Sequence, residues 1–220
     1  MINIIGLILA RGGSKRLPSK NLIDLGGRPL IAWSIDAAYK SNMISAVYVS
    51  SDSESILNTS LDHGALAHKR APIFATDQCS SEDSIYEFFA SNPSLTETFT
   101  YACLLQPTSP FRTHIHIDEA IGLMIAEGGN SCISVYQPSI RFDKYLHLDE
   151  SGHIVSYNSN FSENLNLYPN GAVYAFNIAL FMQTRSIMNP KCVPYLMSGS
   201  SNLDIDNKID LDFARFLIST

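Results

Sequence analysis

The sequence predicts an α/β protein: a doubly wound, mainly parallel sheet carrying a small inserted arm. Three observations lead there. Ile2 to Leu9 is an almost unbroken apolar run rich in isoleucine, the pattern of a strand buried on both faces of a parallel sheet. Strand-like and helix-like segments then alternate as far as Tyr136. A chain of 220 residues is long enough for one such domain with a full core.

After the first strand, Ala10 to Lys20 is a turn rich in glycine and cations. Leu30 to Lys40 reads as a helix with Leu30, Trp33, Ile35, Ala37 and Ala38 on its apolar side, and Ala46 to Ser50 as a second strand. Ser53 to Asp62 predicts a helix capped by Ser53, with Ile56, Leu57 and Leu61 inward. Ala65 to His68 gives a third short strand and Ser84 to Ala90 another helix. Tyr101 to Leu105 is a strongly apolar strand ending in the polar turn Gln106-Pro107-Thr108-Ser109-Pro110. A helix over Ile115 to Glu127 buries Ile117, Ala120, Ile121, Met124 and Ile125, and Ser131 to Tyr136 is a further strand. The regularity stops near Pro138. Residues 138–169 are polar, aromatic and rich in Asn and Ser, with a hairpin expected between Leu146–Leu148 and His153–Tyr157. Ala172 to Phe176 returns to a strand pattern, and Ile209 to Ile218 is a last helix. Residues 1–220 thus read as a single domain with an arm at about 138–169.

Bulk composition excludes several classes. The formal net charge of −6 argues against a broad nucleic-acid or anionic-membrane surface, which needs a basic footprint. No stretch approaches the roughly eighteen consecutive apolar residues of a membrane span. The start, Met1-Ile2-Asn3-Ile4-Ile5-Gly6, lacks the basic and long apolar regions of a signal peptide, so a cytoplasmic location is expected. The four cysteines, Cys79, Cys103, Cys132 and Cys192, lie far apart with no CxxC pair, a poor basis for a disulfide scaffold or a zinc site.

Chemistry concentrates in a few segments. Leu9 to Asn21 follows the first strand, where α/β sheets bind ligands at the carboxyl ends of strands. Gly12 and Gly13, followed by Ser14, let backbone N–H groups approach phosphate oxygens without an intervening Cβ. Arg11, Lys15, Arg16 and Lys20 place four cations within ten residues of an otherwise acidic chain. The segment is neither GxxxxGK[ST] nor GxGxxG, and a solvated basic turn is its plainer reading. Arg70 with Asp77-Gln78-Cys79-Ser80-Ser81-Glu82-Asp83 fits a ligand contact or a simple helix cap equally well. In Leu104 to Arg112 two prolines fix the path, and Gln106 can both donate and accept hydrogen bonds. Asn170-Gly171-Ala172-Val173-Tyr174 sets a polar residue and a glycine before a strand. In extended backbone Asp204 and Asp206 share a face and can point at one cation, a spacing suited to magnesium completed by substrate phosphates. A surface acidic turn capping the last helix would look the same.

Read in order, ARGGSKRLPSKN, R…ATDQCSSED, LLQPTSPFR, NGAVY and DIDNKIDLDFA resemble the CMP-sialic acid synthetase family, from Ile5 to Ala214. Related CMP-Kdo synthetases have a first motif resembling ARxxSxRLPxK, without the Gly-Gly-Ser found here. The resemblance implies a nucleotidyltransferase-type sheet, CTP and an acidic nonulosonate sugar as substrates, Mg²⁺, and a homodimer whose arms help complete the sugar pockets. It further implies that Arg11, Lys15 and Lys20 hold the triphosphate. By the same match Asn21, Arg70, Ser81 and Gln106 surround the cytidine or the junction between substrates. Lys144 matches a lysine near the sugar acid, Asn170 the family asparagine, and Asp204 and Asp206 the metal carboxylates. The reaction implied is attack of the sugar's anomeric hydroxyl on the α-phosphorus of CTP with release of pyrophosphate.

Two other functions fit parts of the chain. A nucleotide-sugar glycosyltransferase would use Asp204-Ile205-Asp206 as a DxD motif but leaves the Gly-Gly-Ser and lysine-rich loop unexplained, and would release no pyrophosphate. A degenerate nucleotide sensor need not keep the metal carboxylates.

One departure bears on the acceptor. Family members specific for N-acetylneuraminic acid usually carry arginines before and within a segment resembling RQxLPxxYRPNG. An ungapped match puts Asn160 and Tyr168 at those positions, whereas a gap would let another arginine take them; Lys144 and Arg141 are the nearby cations in sequence. A guanidinium grips a carboxylate through two parallel hydrogen bonds, which Asn and Tyr cannot reproduce. Losing that contact costs about 1.5–3 kcal/mol, or about tenfold or more in affinity. Steady-state kcat/KM for N-acetylneuraminic, legionaminic and pseudaminic acids is therefore expected to rank N-acetylneuraminic acid below a deoxygenated, legionaminic-type acid. The highest value for N-acetylneuraminic acid would refute the expectation.

Overall fold

The first strand sets the layering. In β1 (Ile4–Leu9), Ile4 and Ile8 pack into one core while Ile5 and Leu7 pack into another on the opposite face. A strand apolar on both faces must be covered on both, and helices do so here. The computed structural model describes residues 2–138, 146–148, 151, 153–156 and 167–219. Beyond β1 the order is α1 (Leu30–Lys40), β2 (Ala46–Ser51), α2 (Glu54–Asp62), β3 (Leu66–Lys69), α3 (Ser81–Ser91) and α4 (Pro93–Thr98). There follow β4 (Tyr101–Leu104), α5 (His114–Ala126), β5 (Ser131–Tyr136), β6 (Leu146–Leu148) and β7 (Ile154–Ser156). The chain continues through β8 (Tyr168–Asn177), α6 (Ile178–Thr184), β9 (Cys192–Leu196) and α7 (Lys208–Ser219).

The main sheet has the order β3-β2-β1-β4-β8-β5-β9. β8 runs antiparallel to its neighbours β4 and β5, while β1 pairs in parallel with β2 and β4, β2 with β3, and β5 with β9. This is the mainly parallel, doubly wound sheet expected. On one face Ile31, Ile35 and Ala38 of α1, Ile56 of α2, and Ile117, Ile121 and Met124 of α5 close the core. On the other, Ile85, Phe88 and Phe89 of α3 pack with Ile178 and Phe181 of α6. A third cluster joins Leu17, Leu25 and Leu30 to Ile205, Leu211 and Ala214, tying α7 back to the loop after β1.

Several elements differ from the sequence reading. β1 starts at Ile4 and β3 is shifted to Leu66–Lys69. α3 begins at Ser81 because Ser80 and Asp83 form a reciprocal capping box, a signal that apolar periodicity does not carry. Ser53 does stand at the N-cap of α2, but its side chain makes no cap hydrogen bond; its hydroxyl lies 2.8 Å from that of Ser55. β8 extends back to Tyr168, with a register shift against β5 between Ile133 and Val135 that admits Pro169. β9 escaped the reading because it contains Pro194, which is tolerated in a strand paired on one side only. α4 and α6 are too short to show a periodic face. In the arm, β6 and β7 pair antiparallel from Leu146↔Ser156 to Leu148↔Ile154, as the expected hairpin. Arg141, Lys144 and Asn160 lie outside the described residues.

Among the described residues no helix is long and apolar enough to cross a membrane. All four cysteines are free thiols, and burial pushes Cys103 and Cys132 up to about 12. Phe88 is fully buried and meets Tyr48, His68 and Phe89 edge to face, with ring centroids 5.0–5.4 Å apart. Phe88→Ala is expected to cost about 3–5 kcal/mol in urea unfolding. A loss under about 1 kcal/mol would show that this face collapses readily.

Candidate active site

The loops after β1, β3 and β4 converge at the carboxyl ends of the parallel strands, where they and the segment before α7 surround an open cavity of about 430 Å³. Arg11, Lys20, Asn21, Arg70, Ser81, Gln106, Asp204 and Asp206 all line it, so residues scattered from 11 to 206 in sequence meet in one place. A second cavity of about 350 Å³, lined by Arg11, Ser14, Lys15, Arg16, Lys20, Asp77 and Asp206, shares several of these walls and holds the densest positive charge.

The basic loop is held at several points. Leu17 inserts into the small core under α7. The buried Asn21 amide donates to the Arg11 carbonyl at 3.0 Å, closing the loop on itself. The Gly12 N–H donates to Asp52 Oδ1 at 2.8 Å, so in this state it serves a carboxylate at the end of β2. Gly12 also lacks room for a side chain: an added Cβ would lie 2.9 Å from Ser53 Cβ. Gly13 faces open space, so sterics demand glycine at Gly12 alone.

The cations of the loop share carboxylates. Asp77 bridges Arg11 at 2.6 Å and Lys15 at 2.5 Å, and hydrogen bonds from Lys15 and then Arg11 hold its carboxyl below the usual range. Asp206 takes Lys20 Nζ at 3.0 Å and Arg16 Nη1 at 3.1 Å. Lys20 Nζ also donates to the Ile205 carbonyl at 3.1 Å. Because Ile205 is fully buried in the small core, Asp204 and Asp206 on either side both turn to the cavity, as the alternation predicted. Burial raises Asp204 above the ordinary carboxylate range; the Thr108 hydroxyl opposes this by donating to it. Asp204 Oδ1 is buried without a hydrogen-bond partner.

Two buried arginines brace the walls. Arg70 donates from Nε to Ser50 Oγ at 3.1 Å and from Nη1 to Ser84 Oγ at 3.4 Å, joining β2 to α3. Arg112 donates from Nε to the Ala172 carbonyl at 2.8 Å, and from Nη2 to Ser34 Oγ at 2.6 Å and the Gln106 carbonyl at 3.1 Å. Burial pulls the Arg112 guanidinium down to about 10, still positive at neutral pH.

The sequence reading did not assign Asp52, Asp77, Thr108 or Arg112. Asp52 had a legible signal, an acid just past a parallel strand beside β1. Arg112 had none, since a buried arginine looks like a surface one in sequence. Asn170 is placed differently from the rest. Its buried amide accepts from Ser134 Oγ at 2.5 Å and the Ala172 N–H at 3.1 Å, and donates to Asn202 Oδ1 at 2.9 Å. It therefore fastens the start of β8 and does not line the cavity, whereas Gly171 next to it receives the Gln106 side chain.

Fold and cavity together define an α/β protein that gathers cations and the carboxylates of Asp77, Asp204 and Asp206 around an open cavity at the carboxyl ends of its strands. The cytidylyltransferase family profile matches residues 5–187, and the chain belongs to that family. It is 33% identical over 217 residues to an N-acylneuraminate cytidylyltransferase from Escherichia coli, covering 96% of this chain and 51% of that protein. It is 31% identical to a CMP-N,N'-diacetyllegionaminic acid synthase from Legionella pneumophila, covering 95% of this chain and 93% of that one. The chain spans about half the length of several curated relatives it matches. A solved CMP:2-keto-3-deoxy-manno-octonic acid synthetase, complexed with CTP, shares the fold with a TM-score of 0.71 at 17% identity, over 99% of this chain and 98% of that one.

Gly171 has φ +76°, and an added Cβ would lie 2.4 Å from Gln106 Oε1. Gly171→Ala is expected to cost at least about 1 kcal/mol in urea unfolding. Gly122→Ala, in open space on α5, should be neutral or stabilising by up to about 1 kcal/mol. Equal effects at the two sites would refute the close packing at Gly171.

Proposed function

We propose that this chain transfers CMP from CTP to the anomeric hydroxyl of a sialic-acid-like nonulosonic acid, giving the CMP-sugar and pyrophosphate. The observation that carries the reading is the convergence of Arg11, Lys15 and Lys20 with Asp204 and Asp206 on two cavities that share Arg11, Lys20, Asp77 and Asp206 as walls. The basic cavity suits the triphosphate, and the wall of Asn21, Arg70, Ser81 and Gln106 suits the nucleoside. In the reaction a sugar oxygen bonds to the α-phosphorus as the bond from that phosphorus to the bridging oxygen breaks. Charge grows on the departing pyrophosphate, where Arg11, Lys15 and Lys20 neutralise it, so catalysis is mainly positioning and electrostatics.

Mg²⁺ fits the residues present. Among the described residues no group of three or more His, Cys, Asp and Glu side chains could hold a metal unaided. Asp204 and Asp206 would hold it together with substrate phosphates, the arrangement magnesium favours. The unpartnered Asp204 Oδ1 is the strongest sign of such a site. When bound, the ion would supply charge neutralisation at the α-phosphate.

The Legionella relative's name and the Tyr168 substitution both favour a legionaminic-type acceptor. Tyr168 opens β8 two residues before Asn170, its ring tilted against that of Tyr136 with centroids 6.1 Å apart, an aromatic surface where a guanidinium would otherwise stand. A homodimer completed by the arm, working in the cytoplasm, belongs to the same reading; free thiols suit that compartment.

Pyrophosphate release with Mg²⁺ and an acceptor is expected with CTP and not with UTP or ATP, since unpaired base groups cost about 1–3 kcal/mol each. Comparable release from all three would sink the reading. Asp206→Ala should nearly abolish turnover in a folded protein, with Asp204→Ala less severe. Near-normal activity of both at limiting Mg²⁺ would remove the metal assignment.

A further inference from the structure

Behind Arg70 on the cavity wall runs a buried polar chain whose other members the reaction does not use directly. Glu87 of α3, His68 of β3, Ser50 of β2 and Arg70 after β3 are all buried, Ser50 completely. His68 Nε2 lies 3.7 Å from Glu87 Oε1, and His68 Nδ1 lies 3.0 Å from Ser50 Oγ. Ser50 Oγ in turn accepts from Arg70 Nε at 3.1 Å. The Ser50 carbonyl accepts from the Ala10 N–H at 3.0 Å and from Arg70 Nη2, so one residue ties both the basic loop and Arg70 to β2.

Proton counting fixes the directions. Arg70 Nε can only donate, which commits a lone pair of Ser50 Oγ. The single Ser50 proton then has a buried acceptor in reach, His68 Nδ1, provided that nitrogen is bare. The imidazole must then carry its proton on Nε2, facing the Glu87 carboxylate. The opposite tautomer would leave the Ser50 proton without that acceptor and set a bare ring nitrogen against a carboxylate. Burial lowers the His68 pKa from its ordinary value, with Glu87 opposing and Arg70 adding to the shift, which favours the neutral ring that the proton count requires.

We propose that His68 is a positioning residue: as the Nε2–H tautomer it takes the Ser50 proton, turns the Ser50 lone pair towards Arg70 Nε, and so fixes the Arg70 guanidinium on the wall that receives the nucleoside. The proposal rests on the cytidylyltransferase reading for the ligand but not for the proton arrangement. His68 does not line the cavity, so it acts through Ser50 and not by touching substrate.

The kinetics of four variants of the full chain and one NMR readout test this. In His68→Leu, KM for CTP should rise roughly tenfold with kcat changed by no more than about threefold, the effect of unpairing one buried group behind a binding residue. His68→Asn, whose side-chain oxygen can accept the Ser50 proton, should bring KM back to within about threefold of wild type. Ser50→Ala should raise KM as His68→Leu does, and the double variant should be no worse than either. Long-range ¹H–¹⁵N correlations of the ¹⁵N-histidine-labelled protein, with the His68 signals identified by their loss in His68→Asn, should show a protonated Nε2 and a bare Nδ1. This readout needs no variant that risks misfolding beyond the conservative one. A protonated Nδ1 at pH 7, or a wild-type KM in His68→Leu, would overturn the proposal. Absence of pyrophosphate release from CTP by the wild-type chain would overturn the catalytic reading instead, while the tautomer still decides the relay.

Discussion

The site depends on Ile205 being buried. Its side chain sits with Leu17, Leu25, Leu30, Leu211 and Ala214, a small core that joins the loop after β1 to the helix at the far end of the chain. Full burial of such a side chain contributes about 1.5–3 kcal/mol, more than any exposed ion pair nearby. Once Ile205 is seated, the backbone leaves Asp204 and Asp206 no direction but the cavity, and Lys20 is drawn to both the Ile205 carbonyl and Asp206. An apolar contact thereby aims two carboxylates.

Around that anchor the charged groups divide into two kinds. Arg70 and Arg112 are buried, and each binds hydroxyls and carbonyls from two or more elements. Breaking such contacts leaves a buried charge uncompensated and costs several kcal/mol, so these side chains behave as part of the scaffold. Lys15 and Arg16 are largely exposed and Arg11 partly so, and all three are paired to Asp77 or Asp206. Pairs of that kind contribute about 0–1 kcal/mol, so a polyanion can exchange with the carboxylates at little cost. Rigid arginines shape the wall, and labile cations are left for the ligand.

The turn at Gln106 shows how tightly the two halves are joined. Arg112 holds the Gln106 carbonyl and the Ala172 carbonyl at once, and the Gln106 side chain packs where only a glycine fits, at Gly171. β8, which runs against its neighbours in the main sheet, is thereby locked to the end of β4. Asn170 completes the joint by bonding Ser134 of β5 and Asn202. Residues that look like ligand contacts in a motif can thus serve the frame that holds the contacts.

The sequence by itself determined the sheet class, the basic loop after β1, the apolar faces of α1 and α5, and the alternation that turns Asp204 and Asp206 the same way. Those features are local: they follow from periodicity, charge and the stereochemistry of adjacent residues. Only the tertiary structure decided that Asp52 takes the Gly12 N–H, that Asp77 bridges Arg11 and Lys15, and that the Asn170 amide turns inward. The same holds for Arg112, an ordinary cation in the sequence and a fully buried clamp in the fold. The physical reason is that a side chain's role depends on which distant group satisfies its hydrogen bonds. That partner is set by packing across tens of residues, which no local pattern encodes.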